Sequence, residues 1–522
     1  MIGKVPLAPL TALLLLLASC GGSSGGGAGA PAPSGPSFAP ESTLAARCAT
    51  PRTGVDPITS IPYPDRQGTL LDEQNWLASW TNDLYLWYSE VSYGIPASYP
   101  TAIDYFNILK TNATTASGKP KDRFHFTYPT ATWEALAQSG VQAGFGASWD
   151  VVSATPPREV IVAYTEPGSP ATNLSPPLLR GALVLGVDGV DINDTTQAGI
   201  NTINAGLYPA SSGESHTFTI QDPGGATRTV AMQSTNVVTT PVQDVGTVGT
   251  TTVGYMLFND HLATAEPALI NAITTLKAAN ITDLVVDIRY NGGGYLAIAS
   301  ELAYMIAGPS ATGSQTFDLT QFNGKHPTTD PVTGQPIVPT PFLSTSQGFT
   351  TSPPAGTALP YLGLPRVFVL TGPDTCSASE AVINGLRGIN VQVIQIGSTT
   401  CGKPYGFYPQ DNCGTTYFSI QFQGVNAVGF GNYPDGFTPA NALSLAGGST
   451  PATLPGCSVL DDFTHALGDP AEARLSAALS YIGGSACPAP SGLAPPGTVR
   501  RLSAVDGHVF KPPLLTNRIV RR

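Results

Sequence analysis

The chain of 522 residues is long enough for two or three domains, each with its own core. A formal charge of −11, with charged residues at only 11%, excludes the broad basic surface that nucleic-acid binding needs. Its 57 glycines and 48 prolines predict many turns and long loops.

Residues 1–20 read as an export signal: Lys4, then an apolar run to Leu17 that is too short to span a bilayer. Leu17-Ala18-Ser19-Cys20 resembles a bacterial lipobox, which implies cleavage before Cys20 and lipidation of its thiol. An ordinary signal peptide with an incidental cysteine is the alternative. The Gly/Pro/Ser-rich residues 21–45 have the composition of a flexible tether. The expectation is an exported bacterial lipoprotein, periplasmic or at the cell surface, anchored to a membrane through lipid. Six further cysteines, Cys48, Cys376, Cys401, Cys413, Cys457 and Cys487, suggest disulfides, with Cys401–Cys413 and Cys457–Cys487 as the short-loop pairings. No Cys or His grouping has metal-ligand spacing, so neither a metal nor another cofactor is expected.

Residues 46–126 carry a helical, aromatic pattern in which Trp76, Trp80, Leu84 and Trp87 recur every three or four positions as one buried face. Residues 127–242 change to short strands punctuated by Gly and Pro. There "TEPGSPATNLSPPLLRGALVLGVDGVDI" resembles the core of a PDZ domain, and Gly144-Phe145-Gly146 would be its carboxylate-binding turn, taking a peptide as an added strand. Gly181-Ala182 departs from the usual Gly-Asp, and a small β domain that binds no peptide is the alternative.

Residues 243–487 alternate strands with helices, which predicts βαβ units and a parallel or mixed sheet. The strands are "TVGYMLFN", "DLVVDIRY", "RVFVL" and "VQVIQIG"; the helices are "ATAEPALINAITTLKAA", "YLAIASELAYMIAG" and "SEAVINGLRG". A Pro/Thr/Gly-rich insertion occupies about 313–360, and residues 488–522 are Pro-rich and then basic. Three notable segments each follow a strand: "NGGG" (Asn291–Gly294), "TCSASE" (Thr375–Glu380) and "STTCGKPYG", which holds Lys403. Parallel strands present their carboxyl ends on one edge, so all three are expected to meet there.

Ser377-Ala378-Ser379-Glu380 fits a capping box, in which the serine hydroxyl would be spent on a backbone N–H. The same strand–turn–helix elbow can instead present a nucleophile. Lys403 favours the second reading. It is the only charged residue between Arg387 and Asp411, and a desolvated lysine can serve as a base.

"GYMLF", "DLVVDIRYNGGG", "SASE" and "GK", in that order behind a PDZ-like segment, resemble the C-terminal processing (tail-specific) serine peptidases, a group related to the tricorn protease core. The resemblance covers about residues 71–483. It implies an α/β plus β fold: a mixed sheet with crossover helices of the ClpP/crotonase-like type, a PDZ-like domain and an N-terminal helical segment. It also implies Ser377 as nucleophile, Lys403 as general base, Ala378 and Gly293 as oxyanion donors, and polypeptide substrates. Phe407 stands where many members have a glutamine that orients the lysine, and the Ser-to-Lys spacing is one residue longer than usual. Tricorn-like members use a histidine, for which His261 stands behind Lys403. The alternative is an inactive peptide-binding lipoprotein of the same fold.

Overall fold

A computed structural model of the chain describes residues 38–57, 60–442, 452–491 and 518–519. The expected signal, Cys20, the tether and most of the basic C-terminal segment lie outside the described residues. No helix among those described is long and apolar enough to cross a membrane.

Helix α1 (Leu70–Leu84) opens on Thr69, whose hydroxyl accepts from the Asp72 N–H while the Asp72 carboxylate accepts from the Thr69 N–H. Its buried face holds Trp76, Trp80 and Leu84. Trp87 does not belong to that face. The helix ends at Tyr85, and Trp87 lies in the following turn, its ring 4.8 Å from that of Tyr405.

Residues 126–242 supply β1 (Phe126–Pro129), α2 (Thr130–Ser139), β2 (Val141–Gly144), β3 (Ala147–Ser153), β4 (Glu159–Thr165), β5 (Leu183–Val187), α3 (Gln197–Leu207), β6 (Ser215–Gln221), β7 (Thr227–Gln233) and β8 (Thr235–Val238). Strands β3 to β7 form one antiparallel sheet in the order β7-β6-β5-β4-β3, and β8 pairs with β2. Alternate residues of β6 and β7 are buried, the signature of a sheet with one wet face.

The central sheet comprises β9 (Val242–Thr247), β10 (Val253–Phe258), β11 (Asp283–Asp287), β14 (Arg366–Thr371), β15 (Gln392–Gly397) and β18 (Gly456–Ser458), in that order. Five of these are parallel and β9 is an antiparallel edge. Every residue of β10 and β11 is buried, as expected where helices cover both faces. The helices are α4 (Ala265–Ala278), α5 (Leu296–Thr312), α6 (Ala378–Gly388) and α7 (Ala473–Ile482). Between β11 and α5 lies the short β12 (Gly294–Tyr295).

The insertion is less irregular than its composition suggests. Thr316–Phe322 forms β13, which pairs with β17 (Phe422–Val425). The insertion is also pinned, because the Glu266 carboxylate accepts from the N–H groups of Gln347, Gly348 and Phe349. β16 (Tyr405–Gly406) pairs with β17, and β19 (Arg518–Ile519) pairs with β12.

Two cysteine bridges correct the sequence expectation. Cys401 is joined to Cys376, not Cys413, and Cys413 is joined to Cys48 across 365 positions. Sequence distance misled because pairing follows spatial proximity, and the sheet order brings these segments together. The Cys457–Cys487 bridge is present as expected.

Candidate active site

The three strand-end turns meet. The Asn291 carbonyl, in the turn after β11, accepts from the Cys376 N–H and the Ser379 hydroxyl, both at 3.0 Å, in the turn after β14. The Cys401 N–H, after β15, donates to the Thr375 carbonyl at 3.0 Å. The disulfide Cys376–Cys401 then ties the residue before Ser377 to one two positions before Lys403.

Glu380, in the first turn of α6, holds these pieces in register. Its Oε2 accepts from the Ser377 N–H (3.0 Å) and the Lys403 N–H (2.8 Å). Its Oε1 accepts from the Gly402 N–H (2.9 Å) and the Thr400 hydroxyl (2.5 Å). Two backbone amides on a single oxygen atom place Ser377 and Lys403 within a few ångströms along the main chain. Burial pushes the Glu380 carboxyl above its ordinary range, and these four donors oppose that shift.

The capping-box arrangement is present: Glu380 accepts from the Ser377 N–H, and the buried Ser377 hydroxyl faces the Glu380 N–H without closing a full hydrogen bond to it. Ser377 has φ 59° and ψ −110°, a left-handed conformation that costs a non-glycine residue about 1–3 kcal/mol. The bonds of Glu380 and the neighbouring disulfide hold it there. Ala378 is the first helical residue, so no carbonyl of α6 lies in reach of its N–H.

Ser377, Glu380 and Lys403 are each 0% exposed. The Lys403 Nζ lies over the rings of Phe407 (4.5 Å) and Phe124 (4.7 Å). Phe407 is itself fully buried against Phe126 and Phe418. Phe124 was not marked by the sequence reading, nor was Arg123, whose guanidinium donates to the Cys401 carbonyl at 2.8 Å. Both come from the segment just before β1, so the N-terminal region helps to wall the site.

The Gly293 N–H donates to the Asn291 Oδ1 at 2.9 Å in this conformation. The same oxygen lies 3.0 Å from the His261 Nδ1. His261 also fixes the turn through its main chain, donating to the Gly293 carbonyl and accepting from Tyr295. Burial lowers its pKa to about 3, so its ring is neutral. Gly294 must be glycine: φ is 137°, and a Cβ would lie 2.4 Å from the His261 carbonyl oxygen.

Cys376, Glu380 and Cys401 cluster closely, but both sulfurs are consumed by the disulfide, so no thiolate ligand is present there. Gly144 and Gly146 line a separate groove of about 140 Å³, shared with Trp149, Tyr164, Glu166 and Asp260. The Phe145 side chain packs into the core of that β layer, 5.4 Å from Phe218.

Behind the turns, buried charges couple the two sheets. Arg289 on the Asn291 turn pairs with Asp287, Asp461 and Glu472. Arg180, next to β5, reaches Asp461 (2.8 Å) and the Tyr290 hydroxyl (2.7 Å).

With this geometry in place, residues 252–407 match the model of peptidase family S41, which spans β10 to just beyond Lys403. The chain thus carries an S41 peptidase domain, in agreement with the resemblance drawn from its motifs. It is similar in fold to a putative S41 protease from Bacteroides fragilis NCTC 9343, with 20% identity and a TM-score of 0.54 over 81% of this chain and 98% of that one. A photosystem II D1 C-terminal processing protease matches at 16% identity and a TM-score of 0.41, over 72% and 93% of the two chains. Mature CPAF complexed with lactacystin matches at 12% and 0.35, over 71% and 92%. Comparison with curated proteins returns no match.

Proposed function

We propose that the protein is a serine endopeptidase of the C-terminal processing type, acting through Ser377 and Lys403. Lys403 takes the proton of the Ser377 hydroxyl, the oxygen adds to a peptide carbonyl, and the amine leaves with a proton, giving an acyl-enzyme. Water then hydrolyses the ester and restores the hydroxyl. The N–H of Ala378 supports the developing oxyanion, and that of Gly293 joins it once released from Asn291. The observation that carries this reading is the shared Glu380 carboxylate, which registers a serine of strained backbone, its hydroxyl without a full hydrogen bond, against a fully buried lysine.

Residues 127–242 are read as a PDZ-like domain, whose groove at Gly144-Phe145-Gly146 binds the substrate's carboxyl end. The substrates are then exported polypeptides with accessible C-terminal or unfolded tails. The signal and Cys20 would place the enzyme on a membrane facing an oxidising compartment, and three disulfides support export.

A fluorophosphonate probe tests the reading. Labelling of the wild type that is lost in Ser377→Ala, with turnover of tailed peptides lost in Lys403→Met, supports it. The second reading is an inactive peptide-binding lipoprotein. It is favoured by Phe407, which puts a ring against Lys403 where an orienting amide is expected. Correctly folded protein that binds tailed peptides but neither labels nor cleaves would establish that second reading.

A further inference from the structure

A loop of the N-terminal region brings two further cations to the candidate site. Residues 114–120 close a tight turn, in which Thr114 bridges to Pro120 and the Thr115 N–H donates to the Lys119 carbonyl at 2.8 Å. The turn is anchored, because the Asp435 carboxylate accepts from the hydroxyls of Thr115 (2.9 Å) and Ser117. Just beyond it, Lys121 pairs with Glu90 at 2.6 Å. Lys119 and Arg123 pair with no carboxylate among the described residues.

Arg123 adjoins the reacting groups. Its guanidinium donates to the carbonyl of Cys401, the residue bridged to Cys376 beside Ser377. Its Cζ lies 5.1 Å from the centroid of the Phe124 ring, and the Lys403 Nζ lies 4.7 Å from the same centroid. The two cationic groups are therefore no farther apart than those lengths laid end to end. An extended peptide advances about 3.3 Å per residue, so a side chain two or three residues from a scissile bond at Ser377 comes within reach of Arg123. Lys119 stands near it. Burial and then the charge of Arg123 depress the Lys119 pKa, while Asp435 and Glu380 act in the opposite sense. Those two carboxylates already accept from other donors. Lys119 and Arg123 are thus half-buried cations that repel each other beside the site, and the pinned turn keeps them there without an anion of their own.

We propose that Lys119 and Arg123 select substrates by binding a carboxylate two or three residues from the scissile bond. That group is an acidic side chain or the free carboxyl end of the chain being cleaved. The inference deepens the peptidase reading and rests on it. Neither residue lies in the segment 252–407 that matches the family model, so the preference belongs to this chain's N-terminal region. A charge-assisted contact at a half-buried position changes affinity about tenfold.

The test uses the full chain as wild type, Lys119→Met, Arg123→Met and Lys119→Glu. The substrates are sets of otherwise identical fluorogenic peptides with Glu, Gln or Lys in turn at each of the three positions on either side of the cleaved bond, their ends free or amidated. Two readouts are taken: kcat/KM, and anisotropy of the same sequences, fluorescein-labelled, on each protein carrying Ser377→Ala. Wild type should prefer Glu over Gln, or the free end over the amide, about tenfold at a position two or three residues from the bond, mainly through KM. Sensitivity to Glu alone identifies the side chain, and sensitivity to amidation alone the terminal carboxylate. Each Met variant should reduce the ratio to about threefold or less, and Lys119→Glu should turn the preference over to Lys, a reversal that damage to the fold does not produce. Equal values for every set, or a ratio unmoved by the substitutions, overturn the inference and leave the peptidase reading standing. A preference for the anionic peptide in binding that Lys119→Glu reverses, with no turnover in any form, supports the cationic pair and refutes the peptidase reading. Binding of no peptide by any form overturns both.

Discussion

Under the proposed mechanism Glu380 keeps Ser377 and Lys403 in register, and Glu380→Gln tests this with the least change of shape. The carboxylate accepts four bonds, two on each oxygen. Glutamine retains one acceptor oxygen. The better placement points that oxygen at the Ser377 and Lys403 amides and the NH2 at Thr400, whose hydroxyl can rotate to accept. The Gly402 N–H is then left unpaired. Turning charged acceptors into a neutral one weakens each bond by about 1 kcal/mol, and the orphaned amide adds about 1–3 kcal/mol. Relief of a buried charge offsets part of this, leaving a net loss of about 2–3 kcal/mol. That is small enough for the variant to fold. Misplacement of reacting groups by an ångström costs about a hundredfold in rate, so kcat/KM on a tailed peptide should fall by roughly that factor. Urea unfolding and steady-state kinetics on the same preparation measure both. If kcat/KM stays within about threefold of wild type while the urea midpoint drops as expected, Glu380 is only a helix cap and the registering role is wrong.

Replacing the bridge by Cys376→Ser/Cys401→Ser removes a 25-position loop closure beside the site. The expected loss is about 3 kcal/mol in urea unfolding, with slower fluorophosphonate labelling of Ser377. Gly294→Ala forces a Cβ against the His261 carbonyl at a left-handed φ, so the Asn291–Gly294 turn must shift. Labelling should fall at least tenfold while circular dichroism still reports a folded core. Glu301 accepts from the Gln347 N–H and is pushed up to about 9 by burial and by neighbouring Glu266. Its folded pKa is raised, so its stabilising contribution is complete below the ordinary carboxylate range and is lost as pH rises toward about 9. Compared with Glu301→Gln, the wild type should lose stability on the order of 1 kcal/mol per pH unit across that window, read from urea midpoints at several pH values.

The sheet and its order of turns were legible because buried parallel strands are continuous apolar runs, as in Val253–Phe258 and Arg366–Thr371, and crossover geometry brings their ends together. Ser377 and Lys403 were legible for a related reason. A charged residue in apolar company and a serine at a strand–helix junction both violate local expectation, and such violations gather at sites. The capping signature at Ser377-Glu380 was legible but incomplete. Glu380 does accept from the helix-start amide, but it also reaches across 23 positions to Lys403, and no local pattern encodes that second bond.

What the sequence hid is set by distance along the chain. The bridge between Cys48 and Cys413, the rings of Phe124 and Phe407 around Lys403, and the Arg180–Asp461 pair each join segments separated by other elements. One signal was present but unused: Cys376 abuts Ser377 and Cys401 lies two positions from Lys403. If those two residues act together, the cysteines beside them are brought near as well, so the functional reading itself implies the Cys376–Cys401 bridge. The short-loop rule pointed to Cys413 because it weighs loop length alone, and loop-closure entropy grows only slowly with length. The fold therefore tolerates the long Cys48–Cys413 closure. That bridge ties residues 47–48 to the strand pair at 410–418, and that pair in turn holds β1 beside the aromatic wall of the lysine.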